Sequence, residues 1–351
     1  MKFRSEAIPG TEVMREGIPY LYFGGTSYLG MQTDPDFLER AARFTQTLGT
    51  HWGASRAGNL QLDIYRNAEA SLASWLGSPA CLTLSSGFLA ARFLADFFVR
   101  LGHPCFFSPN CHEALLPPGA ARQPGWEALG MAVARSGDQS GEKPPVVFTD
   151  SMGGDRPGPV WELLEQLPRE CILVADDSHG LGITGPGGSG SWKPLSSMGF
   201  RELLLCGSLG KAMGVTAGLV AGSADRLGEL EKTAFFAGAS PAPPAGLATL
   251  LNSLESGCYL EKLERLQARV CYLQDRVRHL PFLAFQEGYP VLGFRNRMLA
   301  RYLLDSRVLI TDFDYAAEGD STSQSRIVVT AAHQEPQLLR LAELLAEFRD
   351  S

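Results

Sequence analysis

Residues 171–182 read CILVADDSHGLG, five apolar residues running into the acids Asp176 and Asp177, with His179 three positions after the first acid. Such a run is a β-strand, and the carboxyl end of a strand is where open α/β sheets hold ligands. Asp176 and His179 are therefore candidates for chemistry, although an acid that only caps the following loop reads equally well. A phosphate–magnesium site of the hydrophobic-run-then-acid kind needs a GxxxxGK[ST] loop upstream, and the chain has none. That possibility is excluded.

Downstream, residues 203–214 read LLLCGSLGKAMG: another apolar run, glycines at 207, 210 and 214, and Lys211 among them. Lysine forms imines with carbonyl cofactors and turns nucleophilic when its pKa falls, and Ser208 is free to bind an anion. On spacing alone, a solvated loop lysine is also open. Upstream, LSSGFLA at 84–90 is a strand running into Gly87 and a helix, a place where free N–H groups and the helix dipole receive anions. GPGGSG at 185–190 matches GxGxxG by letter, but no strand precedes it and no helix follows, so it reads as a glycine-rich turn. His112 in SPNCHEAL and Arg326 in SQSRIVVTAAH complete the candidates.

Around these stretches, short apolar runs alternate with helical patterns, the rhythm of an α/β fold with a mostly parallel sheet. The pattern predicts strands over Ala80–Leu84, Cys105–Phe107, Val146–Thr149, Cys171–Ala175, Leu203–Cys206 and Gly218–Ala221. It predicts helices over Asp63–Leu76, closed by Gly77, and Phe88–Val99. In the first helix Ile64, Ala68, Leu72, Trp75 and Leu76 share a face. From about residue 245 helices dominate (Leu247–Leu266, Arg269–His279), followed by a strand over Arg326–Thr330 and a helix over Pro336–Phe348. Pro-rich Ser240–Pro244 reads as a hinge. The expected division is an N-terminal segment over 1–45, a large domain over 46–238 and a small α+β domain over 239–351.

The chain has 351 residues, and its net charge of −7 argues against a general nucleic-acid binder. Seven cysteines without CxxC pairs fit a reducing compartment and offer no metal cluster. The first residues, MKFRSEAIPG, lack an apolar signal stretch, and no run reaches membrane-spanning length, so a cytoplasmic protein is expected.

Taken together and in order, TSYLG (26–30), WGASRAGN (52–59), SSGF (85–88), CHEA (111–114), ADDSHGLGITGPGGSGSW (175–192), GSLGKAMG (207–214) and SRIVVTAAH (325–333) resemble the motifs of the α-oxoamine synthases. These are fold-type-I pyridoxal-phosphate enzymes, and the family includes 8-amino-7-oxononanoate synthase, 2-amino-3-ketobutyrate CoA ligase, 5-aminolevulinate synthase and serine palmitoyltransferase. The resemblance runs from Tyr22 to the C-terminus. It implies a large domain with a mostly parallel sheet, a smaller C-terminal domain, and a homodimer with shared active sites.

By the same resemblance, Lys211 would bind the aldehyde of pyridoxal 5'-phosphate, and Asp176 would pair with the pyridine nitrogen, keeping the ring an electron sink. His179 would hydrogen-bond the phenolic oxygen and His112 would lie against the ring face. Ser86, Gly87, Phe88 and Ser208 would form the phosphate site, with Ser240 reaching the phosphate of a neighbouring subunit. Thr26 would touch substrate and Arg326 would clamp the amino-acid carboxylate. The implied reaction is a decarboxylating condensation of a small amino acid with an acyl-CoA. Transamination or another chemistry of the same cofactor, and a catalytically reduced cofactor-binding homologue, are the alternatives. The chain departs from the family's pattern at Thr26, where asparagine is usual, and in the Cys-His-Glu-Ala around His112. It departs again in the shortened TDSMGGD (149–155) and in the segment 311–324.

Overall fold

The computed structural model describes residues 3–139, 143–153, 157–313 and 324–348. Contacts divide the chain into two units, Met1–Leu38 with Gly153–Gly158 and Cys258–Ser351, and Glu39–Met152 with Pro159–Gly257.

In the larger unit, the apolar runs become a six-stranded sheet. Its order is Ala80–Leu84, Gly218–Gly222, Glu202–Ser208, Ile172–Asp176, Val146–Asp150, Cys105–Phe107. Four of these strands pair in parallel, and Gly218–Gly222 runs antiparallel to both its neighbours. Every residue of Ile172–Asp176 and Gly218–Gly222 is buried, which is why these strands read as continuous apolar runs rather than alternating ones. The Gly87–Arg100 helix covers one face with Ala90, Phe93, Leu94, Phe97 and Phe98. Phe148 from the sheet meets Phe98 edge-on at 6.3 Å and stacks on Phe107 at 5.1 Å. The α/β class and the mostly parallel sheet are as the sequence pattern predicts.

The Asp63–Leu76 helix forms with its expected bounds and closes on Gly77, whose φ of 76° is the left-handed value that glycine takes without steric penalty. Its buried face is turned by one residue from the expected one. Tyr65, Glu69 and Ala73 are buried with Ala68, Leu72 and Leu76, while Ile64 and Trp75 are half-buried. The reason is Glu69, a charge that apolar periodicity overlooks. It enters because Arg56 forms a two-pronged ion pair with it and Thr83 donates its N–H at 2.7 Å and its hydroxyl at 2.9 Å. Arg56 also lies over the Tyr65 and Phe236 rings, at 4.6 and 5.3 Å.

Two expected boundaries move. Leu247–Leu266 is not one helix: Pro244–Glu255 ends at Ser256, Gly257 turns with φ 73°, and a new helix runs unbroken over Cys258–Val277. Ser240–Pro244 is not the junction of the two units. Pro244 starts the helix, Tyr65 donates its hydroxyl to the Ala242 carbonyl at 2.9 Å, and the division falls at Gly257.

The smaller unit carries a five-stranded sheet ordered Glu12–Arg15, Ile18–Phe23, Val308–Phe313, Gln324–Val328, Val291–Phe294. The helices Cys258–Val277 and Glu335–Glu347 bury Leu263, Leu266, Val270, Leu338 and Leu341. Gln324–Val328 begins and ends two residues before the predicted strand, because Thr330 is taken by a turn. His333 accepts the Thr330 N–H at Nδ1 (2.9 Å), bonds the Tyr22 carbonyl through Nε2 (3.0 Å) and stacks on Phe23 at 4.1 Å. Among the described residues, no helix is long and apolar enough to cross a membrane.

Candidate active site

The carboxyl ends of the parallel strands bring most of the predicted residues together. Asp176, the last residue of its strand, is buried; its Oδ1 accepts the Ser178 N–H at 2.9 Å, and its other oxygen meets no donor among the described residues. Asp177 points elsewhere. Its oxygens accept the Ser151 hydroxyl (2.5 Å), the Ser191 hydroxyl (2.7 Å) and the Ser191 N–H (2.8 Å), which ties residues 177–191 into a closed loop. Burial pushes its carboxyl up to about 6 against the pull of those donors. Of the two acids, Asp176 is the one left available to a ligand.

Lys211 sits in the turn after Glu202–Ser208, a turn closed by Leu209 N–H to Ala217 O (2.9 Å) and Val215 N–H to Leu209 O (3.0 Å). Its Nζ lies 2.9 Å from His179 Nε2. With the amine donating, Nε2 holds the lone pair and the ring proton is on Nδ1. The loop lysine is thus paired inside the site with the histidine of the acid motif, 32 residues away in sequence.

An anion cradle faces these groups. Ser86 caps the Gly87–Arg100 helix by accepting the Leu89 N–H at 3.1 Å, which leaves the Gly87 and Phe88 N–H groups without acceptors among the described residues. Gly87 lets this helix end touch the sheet: a Cβ there would fall 2.6 Å from the Cα and Cβ of Ser208. Across the register, Gly218 pairs with both Leu84 and Ser208, and a Cβ on it would strike the Ser86 carbonyl oxygen at 2.1 Å. Ser208 accepts the Gly210 N–H at 3.2 Å, so its own hydroxyl proton has no described acceptor.

His112 follows the Cys105–Phe107 strand. Its N–H donates to Asp150 Oδ1 (2.9 Å), and its Nδ1 accepts the Ala114 N–H (3.1 Å), which puts the ring proton on Nε2. Burial lowers its pKa, with Asp176 acting the other way.

Sequence reading missed two residues here. Ser178, inside the acid motif, donates its N–H to Asp176 and accepts the Ser208 N–H at 2.8 Å, joining the acid to the cradle. Asp150 pairs in register with Asp176 on the adjacent strand; its signals were an acid closing the run VVFTD and its place in the TDSMGGD stretch. Three predicted residues are not joined to this cluster by a hydrogen bond given above. Ser240 is exposed in the loop before Pro244–Glu255 and bonds none of the residues above. Thr26 and Arg326 belong to the smaller unit, Thr26 in the loop after Ile18–Phe23 and Arg326 opposite Gly293 and Thr311 in the sheet. Residues 314–323 of the unusual 311–324 segment, and 154–155 of TDSMGGD, lie outside the described residues.

The site fits pyridoxal phosphate. It offers an amine for an aldehyde, a carboxylate with an open oxygen for a ring nitrogen, and paired N–H groups with a hydroxyl for a phosphate. Gly87 and Gly218 leave no room for side chains in that cradle.

The family model for aminotransferase class I and II matches residues 153–345. The 8-amino-7-oxononanoate synthase of Aromatoleum aromaticum is 29% identical, over 97% of this chain and 92% of its own. That of Erwinia tasmaniensis is 28% identical, over 94% and 89%. Among solved structures, the serine palmitoyltransferase of Sphingomonas wittichii superposes with a TM-score of 0.80 at 17% identity, covering 96% of this chain and 88% of that one. The 8-amino-7-oxononanoate synthase of Francisella tularensis gives 0.68 at 16%, covering 93% and 97%.

Proposed function

The chain belongs to the aminotransferase class I and II family, and from that premise we propose that it is a pyridoxal-phosphate-dependent acyltransferase. It condenses a small amino acid with an acyl-CoA, with loss of carbon dioxide, the reaction that the motif resemblance implies; the similarity to proteins named 8-amino-7-oxononanoate synthase supports it. The observation that carries this reading is the Lys211–His179 pair at 2.9 Å, on the same sheet edge as Asp176 with its open oxygen.

When bound, the cofactor supplies an electron sink for a carbanion at the amino acid's α-carbon. The chain's residues do the rest. Gly87, Phe88 and Ser208 hold the phosphate, the helix dipole adding about 0.3–1 kcal/mol for a negative charge. Asp176, its Oδ1 fixed by Ser178, keeps the ring nitrogen protonated. His112 would lie against the cofactor ring, and His179, bonded to the Lys211 amine, would also hold the phenolic oxygen. Lys211 would hold the cofactor's aldehyde carbon and, when its amine is free, would take the α-proton on Nζ, general-base work typically accelerating a step by about 10²–10⁴. Arg326 and Thr26 are assigned to the amino acid, Arg326 because its planar fork suits a carboxylate.

A homodimer is part of the reading, with the exposed Ser240 reaching a partner's phosphate. So is a cytoplasmic location, supported by cysteines that are all free and mostly buried. The test is to supply pyridoxal phosphate, titrate glycine, alanine and serine while following the near-visible band, then add acyl-CoAs of rising chain length and measure free thiol and carbon dioxide. A band shift by one amino acid, followed by thiol release with one thioester, is expected. Amino-group transfer to an oxo acid without thiol release would assign transamination instead.

A further inference from the structure

We propose that Asp150 is a positioning residue for this reaction, acting through the backbone of His112. The proposal rests on the assignment of His112 to the cofactor ring made above. Asp150 ends the Val146–Asp150 strand beside Asp176, and its Oδ1 accepts the His112 N–H at 2.9 Å. Its carbonyl accepts the Asn110 side-chain amide at 3.2 Å and the Thr149 hydroxyl at 3.0 Å, while the Ser108 hydroxyl donates to Asn110 Oδ1 at 2.7 Å. The loop Ser108–His112 is thereby laced to the tip of the neighbouring strand.

Two arginines hold the other side of the same segment. Arg122 Nε donates to the Cys111 carbonyl at 2.7 Å, and Arg92 donates to the Glu113 carbonyl at 2.7 Å. Arg122 also pairs with the Glu113 carboxylate at 2.5 Å. The residue where this chain departs from the family's usual motif is therefore tied down by an ion pair. Three ionisable side chains converge on the backbone of residues 111–113, a degree of constraint that fixes where the His112 ring stands.

A buried N–H can be satisfied by a neutral carbonyl or a water. The use of a carboxyl one strand from Asp176 is the more demanding arrangement, since like charges oppose each other there. Burial first and the Asp176 charge second push the Asp150 carboxyl well above the usual carboxylate range. A residue with a purely local bonding task has no need of that surrounding. Its second oxygen has no described donor, the same half-bonded arrangement seen at Asp176.

The experiment compares Asp150→Ala, Asp150→Asn, His112→Ala and the His112→Ala/Asp150→Ala double variant. For each, the dissociation constant of pyridoxal phosphate is measured by absorbance titration of the apoprotein, alongside the melting temperature. Loss of the acceptor in Asp150→Ala is expected to weaken cofactor binding about tenfold, the scale of one orphaned buried N–H. Asp150→Asn keeps an acceptor oxygen and is expected to restore binding to within about threefold. With the ring gone in His112→Ala, adding Asp150→Ala is expected to change binding less than about twofold, because its effect has no ring left to act through. An undiminished tenfold loss in the His112→Ala background, or an Asp150→Asn as weak as Asp150→Ala, overturns the proposal. A wild-type protein that does not take up pyridoxal phosphate at all removes the functional reading and this inference with it. Normal uptake with an unaffected Asp150→Ala removes this inference alone.

Discussion

Adding one methyl group at Gly87 sets two opposing effects against each other. Gly87 is the first residue of a 14-residue helix, and alanine there raises helix propensity by about 1 kcal/mol. The new Cβ, however, would fall 2.6 Å from the Cα and Cβ of Ser208 and 2.7 Å from its nitrogen. Restoring ordinary contact needs a shift of about 0.8 Å between helix and strand, and forced overpacking of this kind costs about 1–3 kcal/mol. Ser208 cannot yield readily, since its N–H is bonded to Ser178 and its strand pairs with Gly218–Gly222. The steric effect therefore wins, by up to about 2 kcal/mol, a fall of up to a few degrees in melting temperature. The same shift pulls the Gly87 and Phe88 N–H groups out of line with the Ser208 hydroxyl. Pyridoxal phosphate affinity should drop about tenfold or more, as when one good hydrogen bond to a charged group is lost. Differential scanning fluorimetry and cofactor titration of Gly87→Ala read both quantities. A variant that melts at or above wild type and binds cofactor with unchanged affinity would refute the close-approach account of the cradle.

Glu69→Ala leaves the buried Arg56 charge and the Thr83 N–H without their acceptor, and should lower stability by about 3–5 kcal/mol in urea unfolding while leaving the Lys211 turn untouched. Two buried groups pull the pH dependence of stability in opposite directions. His333 is held down to about 4 by burial, below its ordinary 6.5, so the unfolded chain binds its proton first and His333 weakens the fold as pH falls from about 6.5 to 4. Asp177 is held up at about 6, above its ordinary 3.8, so the folded chain binds its proton first. Its contribution is fully present below about 3.8 and lost as pH rises through 6. Urea midpoints from pH 4 to 7 should therefore differ between wild type and each variant with opposite slopes. The advantage of wild type over His333→Gln should grow with pH, and that over Asp177→Asn should shrink.

What the sequence made legible was local. Ile172–Asp176 shows its strand by apolar run and its acid by position, and Asp63–Leu76 shows both ends, the second through Gly77. The direction of Gly218–Gly222 was not readable, because a fully buried five-residue run looks the same parallel or antiparallel. The break at Gly257 was hidden by leucines that keep helical spacing on both sides of it. Glu69 was passed over because a charge on an apolar face is only buried when a distant partner arrives, here Arg56. Asp150 and Ser178 escaped for a similar reason: what they do depends on neighbours from other strands, which no window of sequence contains. That Lys211 and His179 share one site was implied only by the family resemblance, since spacing left a solvated lysine open, and their direct pairing is a finding of the structure.

In the function proposed here, one amine, Lys211 Nζ, holds the cofactor covalently. The direct measurement is to load the protein with pyridoxal phosphate, reduce it with borohydride, and map the modified peptide by mass spectrometry. A reduced pyridoxyl group on Lys211 alone, and none after Lys211→Ala, is the expected result. Label on a different lysine, or undiminished label in that variant, would contradict it.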